Sequence, residues 1–175
     1  MRKLFPAILL LLILYPASNA QDAKFSCRIS LDVSAKEQLR VEATSYLSRE
    51  LRSLGDVIVT DSDPTFIVQI VAIETHAGER ANGYAFSVVV LEPISPGIAR
   101  MMTANMNPKD KDLWSGYLSR RSDVADHFIQ TGPELQELCK SIIASIDTDV
   151  IEKERKGWQS YQDYLKTTRN KTVNN

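Results

Sequence analysis

The strongest constraint on the fold is a change of hydrophobic period near the start of the chain. Phe25, Cys27, Ile29, Leu31 and Val33 alternate with Ser26, Arg28, Ser30 and Asp32, the period of two that marks a half-buried strand. Leu39, Ala43, Tyr46, Leu47, Leu51 and Leu54 then recur at three and four, as on one face of a helix. The spacing predicts a helix over 35–54. Ser34-Ala35-Lys36-Glu37 has capping-box spacing at its start, and Gly55 supplies a residue free to turn left-handed at its end. Val57-Ile58-Val59-Thr60 follows as a short strand. A strand, a helix and a strand in this order form a parallel pair with a right-handed connection.

Asp61-Ser62-Asp63-Pro64 has turn chemistry. Thr65 to Ile73 is almost continuously apolar and β-branched, which predicts a central strand covered on both faces. His76 to Gly83 reads as a polar loop, Tyr84 to Leu91 as a hairpin-paired strand, and Ile98 to Ala104 as an edge strand. Residues 105–130 carry little period, with a short helix or ordered loop expected within Leu113 to Phe128. Gly132-Pro133-Glu134 opens a helix whose apolar face is Leu135, Leu138, Cys139, Ile142, Ile143 and Ile146, running on to Val150 and Ile151. The expected architecture is α+β: a mixed, mainly antiparallel sheet of four or five strands with two principal helices packed on one face. It forms a single domain over 21–166, with 167–175 as a disordered tail.

Met1 to Ala20 reads as a secretory signal peptide. Arg2 and Lys3 precede an apolar core from Ala7 to Tyr15, and Ser18 and Ala20 stand where cleavage before Gln21 wants small residues. That core is too short for a transmembrane anchor, so the expected location is the periplasm, or the medium if the protein is secreted. Removing Arg2 and Lys3 from the 21 basic residues leaves 19 against 22 acidic ones, a balance that argues against nucleic-acid binding.

Export and an even cysteine count predict one disulfide bond, Cys27 to Cys139. Both lie on the inward face of their element, and closing so long a loop is worth about 4–5 kcal/mol in the chain-entropy model. The alternative is two unpaired buried thiols acting as small apolar residues.

Catalytic constellations are scarce. His76 and His127 stand alone without metal-ligand spacing, so no metal is expected and no cofactor is implied. No nucleophile elbow or phosphate loop is present. Glu79, Asp110 and Asp112 are the carboxylates available to a hydrolase. Two groups suit binding. Trp114, Tyr117, Arg120 and Arg121 combine aromatic and basic anchors as a candidate binding surface, the alternative being Trp114 plugging the core. Trp158, Tyr161 and Leu165 form an apolar docking stripe on a short terminal helix.

Residues 25–104 resemble the α/β domains of bacterial envelope proteins such as the TolB amino-terminal domain and the CsgG-type assembly lipoproteins. The likeness rests on Leu51-Arg52-Ser53-Leu54-Gly55, then Asp56-Val57-Ile58-Val59-Thr60, then Pro64-Thr65-Phe66-Ile67-Val68-Gln69-Ile70. Unlike the lipoproteins, this leader has no cysteine at its cleavage point. The resemblance implies a non-catalytic envelope module with an envelope protein as partner. The expected function is therefore an exported binding or accessory module. A small hydrolase and a self-associating structural protein are the alternatives.

Overall fold

The computed structural model describes residues 24–94, 101–118 and 122–173. Its elements are β1 (Cys27–Ser34), α1 (Glu37–Ser53), β2 (Val57–Val59), β3 (Phe66–Ala77), β4 (Arg80–Pro93), α2 (Pro108–Leu118), β5 (Ser122–Gly132), α3 (Leu135–Ile146) and α4 (Glu152–Val173), with a π-helical stretch, Asp147–Ile151, joining the last two. The fold is α+β. One mixed sheet has the order β2-β1-β3-β4-β5. β1 pairs in parallel with both β2 and β3, and the longer ladders β3–β4 and β4–β5 are antiparallel.

The two principal helices, α1 and α3, pack on one face of this sheet. Leu39, Ala43, Leu47 and Leu51 of α1 are buried, as are Leu135, Leu138, Cys139, Ile142, Ile143 and Ile146 of α3. They meet the inward series of the strands, which includes Ile29, Phe66, Val68, Ile70, Phe86, Val88 and Val90, in a single core. Each such side chain removed from water contributes about 1.5–3 kcal/mol before ordering costs are counted.

Several expectations change on contact with the structure. The capping box at Ser34 is not made: α1 starts later, at Glu37, behind an N-cap Lys36 that has no side-chain hydrogen bond. Ser34 belongs to β1, opposite Val71, and Glu37 instead accepts from Arg40 at 2.6 Å. The predicted polar loop over His76 to Gly83 is a tight hairpin, with Ala77 paired to Arg80 and Gly78 left-handed at φ 67°. Gly83 is needed for close approach, because a Cβ there would lie 2.7 Å from the Gly132 carbonyl oxygen. The edge strand expected at Ile98 to Ala104 is absent from its described part, where Ala104 N donates to Met101 O in a helical turn; its first three residues lie outside the described residues. The edge is formed by β5 instead. The tail expected from 167 is helical through Val173, with the Thr167 and Thr168 hydroxyls donating to the Asp163 and Tyr164 carbonyls. The leader, Met1 to Ala20, lies outside the described residues.

Helical geometry continues without a break from α3 through the π-helical stretch into α4. The wider turn keeps Val150 and Ile151 together in the core after Ile146. It also brings Asp147 within 2.7 Å of Arg155 Nη1, which balances the charge of the buried Asp147 Oδ1. Arg155 additionally meets Asp56 and Glu152. The hydrogen bond to Asp56 is the main influence holding the guanidinium proton above its ordinary value, against the opposing cost of burial.

Candidate functional site

β3 was expected to be buried on both sides, and here the structure corrects the sequence reading. Phe66, Val68, Ile70 and Ala72 are buried, whereas Gln69, Val71 and Ile73 are exposed in alternation with them. α1 and α3 cover the first of these two sets, and the second is left on the opposite face. The register assembles that face row by row. Ser30, Ile67, Leu91 and Val124 line up across β1, β3, β4 and β5. Asp32, Gln69, Val89 and His127 form the next row, then Ser34, Val71, Ser87 and Ile129, then Ile73, Ala85 and Thr131. Parity holds across β5 because a register shift opposite Val90/Leu91 returns Val124 to the same face as His127 and Ile129.

The apolar members of these rows are strongly solvent-exposed: Val71 56%, Ile73 57%, Val124 64% and Ile129 67%, with Ile58 of β2 at 52%. Among the described residues nothing covers them. A single exposed β-branched residue is ordinary on a strand, but five on one face of one sheet form a surface of the kind proteins bury against partners. The polar residues interleaved with them, Gln69, Ser87, His127 and Thr131, supply hydrogen-bonding groups between the apolar ones. The signal for this face was the helix count, since covering both faces of a five-stranded sheet takes helices on both sides.

The proposed anchors are dispersed. Trp114 lies on α2 and is partly exposed, in the same β4–β5 connector as the exposed Met101, Met102 and Leu113. The side chain of Tyr117 and residues Arg120 and Arg121 lie outside the described residues, so Trp114 alone of that group is placed. Of the terminal stripe, Trp158 docks on the domain itself: its ring meets Phe25 edge-on, with centroids 6.4 Å apart. A groove of about 430 Å³ opens beside this contact, lined by Lys24, Cys27, Thr65, Glu154 and Tyr161 among others. Tyr161 and Leu165 are exposed on the outer half of α4, next to the exposed Tyr164.

The carboxylates considered for catalysis are not assembled. Glu79 sits in the β3–β4 turn, while Asp110 and Asp112 belong to α2, in the connector that leaves the far end of the fourteen-residue β4. Asp110 closes the first turn of α2, where its backbone N–H and its carboxylate are both hydrogen-bonded to the Asn107 amide. His76 is 3.9 Å from Glu74, and the His127 backbone N–H donates to Asp126 Oδ1. Among the described residues, no group of three His, Cys, Asp or Glu side chains is arranged to hold a metal ion.

Cys27 and Cys139 are both buried and both free, so the expected bridge between them is not formed in this structure. Burial is the largest influence on each thiol and pushes it from an ordinary value near 9 up to about 12. The charged groups felt by Cys27 are Glu154, Asp56 and Arg155; those felt by Cys139 are Glu50 and Arg49. Cys27 enters the core from β1 and Cys139 from the buried face of α3. Both side chains are inside the core, as expected of the inward faces of β1 and α3.

No protein-family model matches the chain, and no curated protein does. The solved structures that are similar, at low identity, include the following three. The hypothetical protein CT253 from Chlamydia trachomatis is 11% identical, with a TM-score of 0.43 over 71% of this chain and 98% of that one. A PelC dodecamer from Paraburkholderia phytofirmans is 12% identical, with a TM-score of 0.40 over 75% of this chain and 92% of that one. A putative neuraminyllactose-binding hemagglutinin homolog from Helicobacter pylori is 11% identical, with a TM-score of 0.27 over 89% and 96%. None of the three is a TolB domain or a CsgG-type lipoprotein, and at these scores none carries an argument about function.

Proposed function

We propose that this chain is an exported, non-catalytic module that binds an envelope protein through the open face of its sheet. The single observation behind this reading is the exposed apolar set Ile58, Val71, Ile73, Val124 and Ile129 on the side of the sheet opposite the buried core. The leader-like Met1 to Ala20 supports export to the periplasm or beyond. Site-specific photo-crosslinking in the producing cell tests the proposal, with the crosslinker at Val71 or Ile129 and, as control, at the exposed Lys140 of α3. One discrete adduct from the sheet positions and none from the control is the expected result. No adduct from Val71 or Ile129, or turnover of a small substrate that is lost on replacing Glu79, Asp110 and Asp112 with alanine, overturns it.

Self-association is the second reading. It is favoured by β5, an eleven-residue edge strand with no neighbour on its outer side among the described residues. A molar mass by light scattering that rises with concentration, and falls back to one chain in Ile129→Lys, supports it.

A further inference from the structure

The opposite edge of the sheet is incomplete in a way that defines a second site, independent of the open face. β2 pairs with β1 only at Cys27, Arg28 and Ile29. The backbone bonds there show how β1 divides its hydrogen bonding. Cys27 N donates to Asp56 O and Ile29 O accepts from Thr60 N, both on the β2 side, whereas Arg28 O accepts from Thr65 N on the β3 side. Odd-numbered residues therefore serve the β2 side and even-numbered residues the β3 side. After Thr60 the chain leaves the edge. It crosses β1 by way of Asp61, which accepts from the Ser30 hydroxyl at 2.9 Å, and Ser62, whose carbonyl accepts from the Arg28 guanidinium. Beyond that crossing, Leu31 and Val33 direct their N–H and C=O groups toward an edge that β2 no longer occupies.

A groove of about 610 Å³ lies at this position, between Leu31–Val33 and the Arg40, Thr44, Ser48 and Arg52 face of α1. Its two walls share a repeat. Every fourth residue of a helix rises about 6 Å, and every second residue of a strand about 6.7 Å, so alternate side chains of a strand laid in the groove meet successive rungs of α1. Those rungs are cationic at the two ends and hydroxylic between. Arg40 is paired with Glu37, but Arg52 has no carboxylate partner among the described residues. Strand donors and acceptors that no described strand pairs on one wall, with guanidinium and hydroxyl groups on the other, suit an extended backbone carrying carboxylates at alternate positions.

We infer that this edge is a β-augmentation site: an extended acidic segment of another protein adds as a strand beside Leu31–Val33, continuing the line of β2 with its carboxylates toward Arg40 and Arg52. The test is NMR titration of the ¹⁵N-labelled full chain with the capped peptide Val-Glu-Val-Glu-Val-Glu-Val. The expected result is chemical-shift change and slowed hydrogen exchange at the Leu31 and Val33 amides. Affinity should fall about tenfold in the Arg40→Glu/Arg52→Glu variant, and binding should vanish when every peptide amide is N-methylated. The inference is overturned if those two amides are unmoved at about 1 mM peptide, a weak-binding limit. Equal binding of the lysine counterpart also overturns it, as does protection of both amides that grows with protein concentration when no peptide is present. The wild-type titration stands even if the double variant is poorly folded.

Discussion

Arg155 donates to both carboxylate oxygens of Asp56, at 2.6 and 3.0 Å, and so ties the first turn of α4 to the residue that leads into β2, 99 positions earlier. Both side chains are largely withdrawn from solvent, and Asp147 and Glu152 meet the same guanidinium. Since Asp56 O also accepts from Cys27 N, this contact closes the end of the sheet where β1, β2 and α4 converge. Removing the cation leaves two partly buried carboxylates uncompensated. Arg155→Ala is expected to lose about 2 kcal/mol, and roughly 4–8 °C of melting temperature, by the usual values for charge-assisted bonds in a domain of this size. Thermal melts of variant and wild type read this directly.

The same pair sets an acid dependence. The hydrogen bond from Arg155 holds the Asp56 carboxyl below its ordinary value. A depressed folded-state value means the stabilisation is complete above the unfolded carboxylate range and is lost as pH falls through the folded value. Asp56→Asn should therefore be less stable than wild type at neutral pH, with the gap closing below about pH 4. Urea midpoints across that range provide the measurement, and a gap that stays constant into acid contradicts the assignment.

Cys27 and Cys139 carry an alkaline counterpart. Their folded values are raised from near 9 to about 12, so the folded chain keeps protons that the unfolded chain releases in that interval. Their contribution is complete below pH 9 and declines as pH rises toward 12. Cys27→Ala/Cys139→Ala should show a flatter stability curve over that window. In the native wild type, alkylation at pH 8 should be slow. After unfolding without reductant, intact mass should show two alkyl groups added; none added would mean that a bridge forms after all.

Two glycines should respond to alanine with opposite sign. At Gly83 the new Cβ would press on the Gly132 carbonyl oxygen at 2.7 Å, where neighbouring backbone must move. Gly83→Ala is expected to cost about 1–3 kcal/mol, the range for overpacking. Gly157 lies within α4, with nothing within 4 Å of the added atom, and Gly157→Ala should stabilise by up to about 1 kcal/mol. Equilibrium denaturation of the two variants side by side checks both.

The elements with strong periodicity were legible in the sequence. β1, α1 with its glycine stop, the β3–β4 pair and α3 all carry enough alternating or helical apolar residues to declare themselves. β5 did not, because Ser122 to Gly132 has few apolar residues and its register shift breaks the two-residue period between Val124 and His127. The helical end of the chain was also missed. A polar helix held by pairs such as Lys166–Asp163 has no apolar stripe to read beyond Leu165. The open face was misread for a different reason. Val and Ile favour strands whether or not they are buried, so the run Thr65 to Ile73 looked doubly covered when only its alternate members are. The carboxylates singled out for catalysis could not be judged without topology, since only the hairpin and the connector place them at opposite ends of β4.

The uninterrupted passage from α3 through the π-helical stretch into α4 has a practical consequence. Beyond Trp158, the last side chain of that helix in ring contact with the body, the helix extends for fifteen more residues to Val173, about 22 Å at the usual rise. It acts as a stiff handle. A fluorophore or surface-tethering group fixed near its tip would report on, or hold, the molecule without a flexible leash blurring distance and orientation.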